Sequence, residues 1–285
     1  LMYEYHRFLQ ETGIDAEIRA MLEDPLFRAD GNVRRQRLSE LRDRIRAAPV
    51  NADLVARLET ELTTRFPGLP VRFRSSTNAE DLDGYTGAGL YTSTGVDLNN
   101  PERTIERGLR KVWASLWNQR AFEEREYMQI LHMDVGMVIL VHSAYKNERA
   151  NGVAITANVF DPAPGGEDAF FVNAQIGEVS VVLPDPSILP DSLIYYYFHS
   201  GQPATYLTHS TLLEPRQTIL KRVELFYLGK ALKAIRDHFR RYYNPPQGYG
   251  ALPMDVEWKL VDDPGGQGTR IEIKQARPYP GRGGL

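Results

Sequence analysis

Apolar residues recur at helical spacing through the first part of the chain. Leu54, Leu58 and Leu62 each fall one turn apart, inside a stretch at 3–66 rich in Arg, Glu, Leu and Ala. That spacing predicts helix, and Pro67, Gly68 and Pro70 end it. Within it, RQRLSELRDRIRAA mixes its arginines with Glu, Asp and Leu, the pattern of a solvated amphipathic face rather than of a nucleic-acid surface. The pattern then changes period. Residues 71–75 read as a short strand, a polar, glycine-rich loop runs to Gly89, and a second short strand is expected at 90–94. A helix opens at Pro101 and Glu102, with Ile105, Leu109, Val112 and Leu116 as its buried stripe, and continues to about Ile130.

Four strand-like runs follow at 136–143, 152–156, 169–173 and 179–183, each bounded by Gly, Pro, Asn or Asp, and they predict one antiparallel sheet. Residues 184–214 read as a long irregular stretch. Ile219, Val223, Phe226, Leu232, Ile235 and Phe239 then mark a strong helix over 217–243. The chain closes with two runs, 253–261 and 270–276, joined by DDPGGQG, which has the marks of a β-hairpin. The expected class is α+β. Its parts are a helical portion at 1–68, a loop-and-helix segment at 69–134, a lobe at 135–278 ending in the hairpin, and a tail at 279–285.

Composition narrows the function classes. With 285 residues, 42% hydrophobic and 25% charged, the chain has the balance of a folded protein at the upper size of one domain. A net charge of -3 with both signs interspersed argues against a dedicated nucleic-acid binder. The absence of cysteine excludes disulfides, thiolate metal sites and a cysteine nucleophile. No apolar run approaches the roughly 20 residues that cross a bilayer, and the start carries no signal pattern, so a cytoplasmic protein without membrane partners is expected. Leu1 followed by Met2 points to a non-standard start or to a piece of a longer reading frame.

The hairpin carries the most pointed chemistry. In MDVEWKL, Asp255 and Glu257 share one strand face and Val256 and Trp258 the other. If the turn centres near Gly266, residues whose numbers sum to about 532 are opposed, and Glu257 meets Gln275. Two carboxylates and an amide oxygen suit magnesium, which keeps several waters and bridges substrate phosphates. Arg277 lies two residues further along that face, where it could hold a phosphate. The simpler reading is an exposed polar edge.

A second constellation is RFRSSTNAEDLDGYTGAGLY. Arg74 sits at the end of an alternating strand, while Ser75, Ser76 and Thr77, with Gly84, Gly87 and Gly89, supply the hydroxyls and open backbone N–H groups a phosphate-cradling loop needs. Neither GxxxxGK[ST] nor GxGxxG occurs, so a plain surface loop stays open as a reading. A third is NAQIGE, with Glu178 after a glycine at a strand end, where a solvated or capping role is the simpler one. The six histidines show no metal-ligand spacing.

In order along the chain, VRFRSSTNAEDLDGYTGAGLY, KVWASLWNQRAFEERE, NGVAITANVFDP, FFVNAQIGE and MDVEWKL…IEIKQARP resemble the motifs VRSSATAED…FAGQY, CWASLFTDRA…YR, SGVMFTANP, a glycine- and glutamate-bearing strand end, and DIEWA…LYILQARP. Those belong to the ATP-binding family of phosphoenolpyruvate synthase and pyruvate phosphate dikinase, a variant of the ATP-grasp fold also seen in glucan, water dikinases and rifampin phosphotransferases. The resemblance implies ATP-grasp-like lobes that bind ATP and Mg2+. It implies that Arg74 contacts the ATP phosphates, that Asp255, Glu257 and Gln275 hold magnesium and polyphosphate, and that Arg277 assists phosphoryl transfer. Gly89 matches the glycine of a lid over the γ-phosphate, Gly152 that of the strand beside the nucleotide, Glu178 an acidic residue near it, and Arg120 a second arginine. The adenine-side edge strand aligns with 140–145, where His142 stands in place of the Gln of many relatives.

Two departures shape the expectation. The family's opening segment, with its phosphate-reaching lysine, has no match before Tyr3, and its phosphohistidine and acceptor domains have none either. The expected role is therefore the ATP- and magnesium-binding portion of a dikinase-type phosphotransferase, incomplete at its N-terminus and not active alone. Its partners would be phosphohistidine and acceptor domains of a longer parent chain or of a partner protein. A non-catalytic nucleotide-binding regulatory module and an ATP-grasp ligase forming an acyl phosphate are the alternatives.

Overall fold

The computed structural model describes residues 2–79, 89–144, 148–161, 166–179, 181, 187–243, 252–263, 266 and 268–279. It resolves into two compact units that divide after Ala144.

The first unit opens with α1 (Met2–Glu11), α2 (Ile14–Glu23), α3 (Pro25–Ala29), α4 (Gly31–Ala47) and α5 (Ala52–Arg65). Capping residues cut the expected helical stretch into these pieces. Asp24 accepts from the N–H of Leu26, with Pro25 at the first helical position. Asp30 accepts from Asn32 and Val33, and Asn51 from Leu54. Each side chain meets a donor that the helix start leaves without an intrahelical partner.

Next come β1 (Val71–Thr77), β2 (Thr94–Val96), α6 (Ile105–Ala114), a short 3-10 turn, α7 (Gln119–Tyr127) and β3 (Met137–Ser143). The single helix expected from Pro101 to Ile130 is thus two, with Thr104 capping the first. The second strand lies later than expected, and Leu90 is instead buried in a turn. Phe8, Ile18, Phe27, Leu38, Phe73, Val112, Trp113 and Trp117 share one core, in which the Trp117 indole N–H donates to the Tyr5 hydroxyl at 2.9 Å.

The strands of this unit form an antiparallel sheet in the order β2-β1-β3. That corrects the expectation for 136–143: the run pairs with β1 rather than with the strands after it. Hydrophobic alternation shows that a strand has a buried face but not which distant strand will complete its ladder.

Among the described residues, the second unit is a six-stranded antiparallel sheet with one long helix. Its elements are β4 (Glu148–Ile155), β5 (Phe170–Ile176), β6 (Asp191–Tyr195), β7 (Ala204–Thr208), α8 (Arg222–Phe239), β8 (Met254–Asp262) and β9 (Thr269–Pro278), and the strand order is β7-β6-β5-β4-β8-β9. Two strands, β6 and β7, occupy the stretch expected to be irregular. Asp191 opens the first and is buried, its carboxylate accepting from the N–H groups of Ser210 at 2.8 Å and Ile219 at 2.7 Å. Of the strand expected at 179–183, Val179 lies in no strand, and 180, 182 and 183 lie outside the described residues.

Leu225, Leu228 and Leu232 of α8 pack with Phe170, Val172, Tyr195, Val256 and Trp258 on one face of this sheet. Glu224 ties the start of α8 to the hairpin, accepting from the Lys221 N–H and the Thr269 hydroxyl, each at 2.7 Å. The α8 face is largely apolar, and the opposite face carries Asp255, Glu257, Lys259, Glu272 and Arg277. No described helix is long and apolar enough to cross a membrane.

Candidate functional site

Alternation along β8 buries Met254, Val256, Trp258 and Leu260 and leaves Asp255, Glu257 and Lys259 half-buried on the other face. Across the hairpin Asp255 opposes Arg277 and Glu257 opposes Gln275, the pairing expected from the sequence. Nearer the turn the register shifts by one, with Trp258 opposite Ile273 and Lys259 opposite Glu272, so Lys274 is the extra residue of a β-bulge. Arg277 donates to one oxygen of Asp255 with Nε at 3.0 Å and Nη2 at 2.7 Å. Lys274 Nζ lies 3.3 Å from Glu257 Oε2. One step further along, Lys259 pairs with Glu148 of β4, whose carboxylate is almost wholly buried.

The hairpin therefore gathers Asp255, Glu257, Gln275, Arg277 and Lys274 on one face. Two carboxylates and an amide oxygen, balanced by two cations, form a donor set of the kind magnesium takes together with substrate phosphates. Among the described residues no cluster of three or more His, Cys, Asp or Glu stands ready to hold a metal.

Gly152 lies in β4 on the α8 side of the sheet, away from the face of Asp255 and Glu257, opposite Trp258 on one side and Ala174 on the other, and it packs directly against the indole. Its neighbour Val153 opposes Glu257. Glu178 is exposed in the turn that ends β5, after Gly177 at φ +61°. The Asn151 side-chain amide donates to the carbonyls of Gly177 and Val179, each at 2.8 Å, and so fixes the turn on both sides of Glu178.

In the first unit, β1 sends Val71 and Phe73 into the core and carries Arg72, Arg74 and Ser76 on the opposite face. His142 and Leu140 of β3 pair with Arg72 and Arg74, and β3 is an edge strand among the described residues. Arg74 is half-buried and Ser76 exposed. Alternation puts Ser75 on the Phe73 side, where its N–H donates to the Ser93 hydroxyl at 3.3 Å. Gly89 is exposed at φ +72°, a left-handed conformation that favours glycine, and residues 80–88 of the expected lid lie outside the described residues. Arg120 projects from α7 into solvent and bonds Glu124 at 2.9 Å.

Residues 2–282 match the family described as pyruvate phosphate dikinase, AMP/ATP-binding domain. The chain belongs to that family. Among similar proteins are the phosphoenolpyruvate synthase of Pseudomonas aeruginosa, 26% identical over 96% of this chain and 36% of that protein, and that of Aeropyrum pernix, 28% identical over 96% and 37%. The rifampicin phosphotransferase of a Streptomyces species is 27% identical over 84% of this chain and 27% of its own length. The chain thus spans well under half the length of these relatives, all phosphotransferases. As a member of the dikinase AMP/ATP-binding family it is an ATP-binding domain of the dikinase type.

Two residues near the family's motifs escape motif reading. Lys274 is signalled only by a break in alternation, since IEIKQARP puts two polar residues in succession where a regular strand would have one. Asn151 precedes Gly152 with nothing in the sequence to mark that its amide reaches a turn beyond the next strand.

Proposed function

We propose that this chain binds ATP together with Mg2+ and acts as the nucleotide-binding portion of a dikinase-type phosphotransferase, donating phosphate toward a histidine on another domain. The observation that carries this reading is the placement of Asp255, Glu257, Gln275 and Arg277 on one face of a hairpin. A divalent cation bound there would supply neutralisation of the charge that develops on the phosphoryl oxygens. Asp255, Glu257 and the Gln275 amide oxygen would hold it. Arg277, already oriented by two bonds to Asp255, presents a planar guanidinium suited to phosphate oxygens. In the first unit, Arg74 and the Ser75 and Ser76 hydroxyls would donate to the phosphates, Arg120 would serve as a second arginine, and Gly89 would belong to a lid. Gly152 and Glu178 would lie beside the nucleotide. Catalysis of this kind rests on positioning and charge stabilisation. The receiving histidine and the final acceptor would sit on further domains of a longer chain or on a partner protein.

Calorimetry of ATP binding with and without Mg2+, on wild type and Glu257→Ala, tests the site. The expected result is magnesium-dependent binding that the substitution weakens. Equal affinity in both proteins would reduce the hairpin to a polar surface. Adding a histidine-bearing dikinase domain and assaying acid-labile phosphate tests the transfer. Binding without any phosphohistidine would identify a regulatory nucleotide-binding module instead.

A further inference from the structure

Every charged group on the β8–β9 face has a defined partner, but the partnerships differ in rigidity. Arg277 holds Asp255 through two bonds from a planar fork. Lys259 is anchored to a carboxylate that is only 2% exposed. Glu272 is held by Arg270 at 2.6 Å. Lys274 meets Glu257 at 3.3 Å, longer than the Arg277 and Arg270 contacts, with the two side chains 27% and 22% exposed. An ammonium on a four-carbon stem is a point charge that re-aims at little cost, unlike a guanidinium fork.

The bulge explains why this lysine is here at all. Where two residues of one strand oppose one of the other, the bulged strand re-aims a side chain. Lys274 and Gln275 both answer to Glu257, and the ammonium stands over the carboxylate most central to the candidate magnesium set. A divalent cation approaching Glu257 Oε2 competes with that ammonium for the carboxylate. Displaced alone, the lysine loses an anionic partner. Displaced by a cation that arrives with a polyphosphate, it gains a new one within reach of the same stem.

We propose that Lys274 is a positioning residue that couples metal binding to nucleotide binding: it opposes a divalent cation arriving without nucleotide and contacts the phosphates when the cation arrives with one. This rests on the reading that the hairpin face takes Mg·ATP. The lysine then disfavours binding of the bare ion and favours the complex.

The test is titration calorimetry on the full chain with Mn2+ alone and with Mg2+ plus a non-hydrolysable ATP analogue, for wild type, Lys274→Met, Lys274→Gln and Lys274→Arg. Both neutral variants should bind Mn2+ alone about three- to tenfold more tightly and the Mg2+·nucleotide about three- to tenfold more weakly, as expected for loss of one partly exposed charge. The arginine variant keeps the charge but not the readily re-aimed ammonium, so it should bind Mn2+ alone no more tightly than wild type and hold the Mg2+·nucleotide between wild type and the neutral variants. The opposite signs are diagnostic, because mere loss of folded structure would weaken both. If wild type binds the Mg2+·nucleotide but the neutral variants shift both affinities the same way, or neither, the coupling is wrong. No binding of the nucleotide by wild type would overturn the functional reading and this inference with it.

Discussion

Gly152 lies flush against Trp258: a β-carbon at position 152 would stand 2.3 Å from Cζ2 of the indole and 2.2 Å from the backbone oxygen of Asn173. Neither neighbour can yield, since the indole is fully buried and the oxygen belongs to the adjacent strand β5. The glycine of NGVAITAN is therefore required by packing before any ligand is considered. Gly152→Ala should lower stability by about 1–3 kcal/mol or more, the usual cost of overpacking a core. Urea unfolding followed by tryptophan fluorescence measures it, and an unchanged midpoint would refute the close approach.

Arg277→Ala leaves the Asp255 carboxylate without its two charge-assisted bonds in a half-buried position. Because both side chains retain some solvent contact, the loss should be about 1–2 kcal/mol, below that for a fully buried pair. ATP affinity should fall as well. Arg277→Lys should recover most of the stability but little of the affinity, because a point charge does not reproduce the fork.

Asn151→Ala removes both bonds that clamp the turn around Glu178. The expected cost is about 1–2 kcal/mol. Hydrogen exchange should accelerate locally in 176–179 while the centre of β4 stays protected. Uniform acceleration across the sheet would mean that the amide supports the whole unit rather than one turn.

His132 gives the first unit a pH dependence. Its Nδ1 accepts from Arg125 Nε at 3.1 Å, and an arginine cannot accept, so the proton sits on Nε2, which donates to Glu126 at 2.7 Å. Burial first, then the nearby Arg125 guanidinium, push the imidazole pKa below its ordinary value, against the pull of Glu126. Above about pH 6.5 the ring is neutral folded and unfolded alike. As pH falls below that, the unfolded chain takes up a proton that the folded chain resists, so stability drops, by at most about 1.4 kcal/mol per pH unit. Comparing wild type with His132→Gln by urea unfolding at pH 7.5 and 5.5 should show a steeper loss in wild type.

The hairpin was legible in the sequence because a β-turn and a two-residue period determine which side chains face one another. Asp255 with Arg277 and Glu257 with Gln275 follow from counting. The helices were legible as a class, but their breaks depend on single caps such as Asp24 and Asn51, which weigh little in a periodicity. The pairing of β3 with β1 was not legible, since nothing local distinguishes one antiparallel partner from another. β6 and β7 were hidden because Pro184, Pro186, Pro190, Gly201 and Pro203 punctuate the stretch, so its short aromatic-rich runs read as irregular. Only the folded chain shows the Asp191 carboxylate taking up two backbone N–H groups.

The extra residue in β9 has a counterfactual. A strand one residue shorter, lacking position 274, would alternate without interruption and still put Gln275 opposite Glu257 and Arg277 opposite Asp255. Deleting Ala276 instead would turn Arg277 inward toward α8. Position 274 is thus a place where the chain spends length on something other than register: the hairpin needs no residue there to close, and the one it has adds a positive charge beside Glu257.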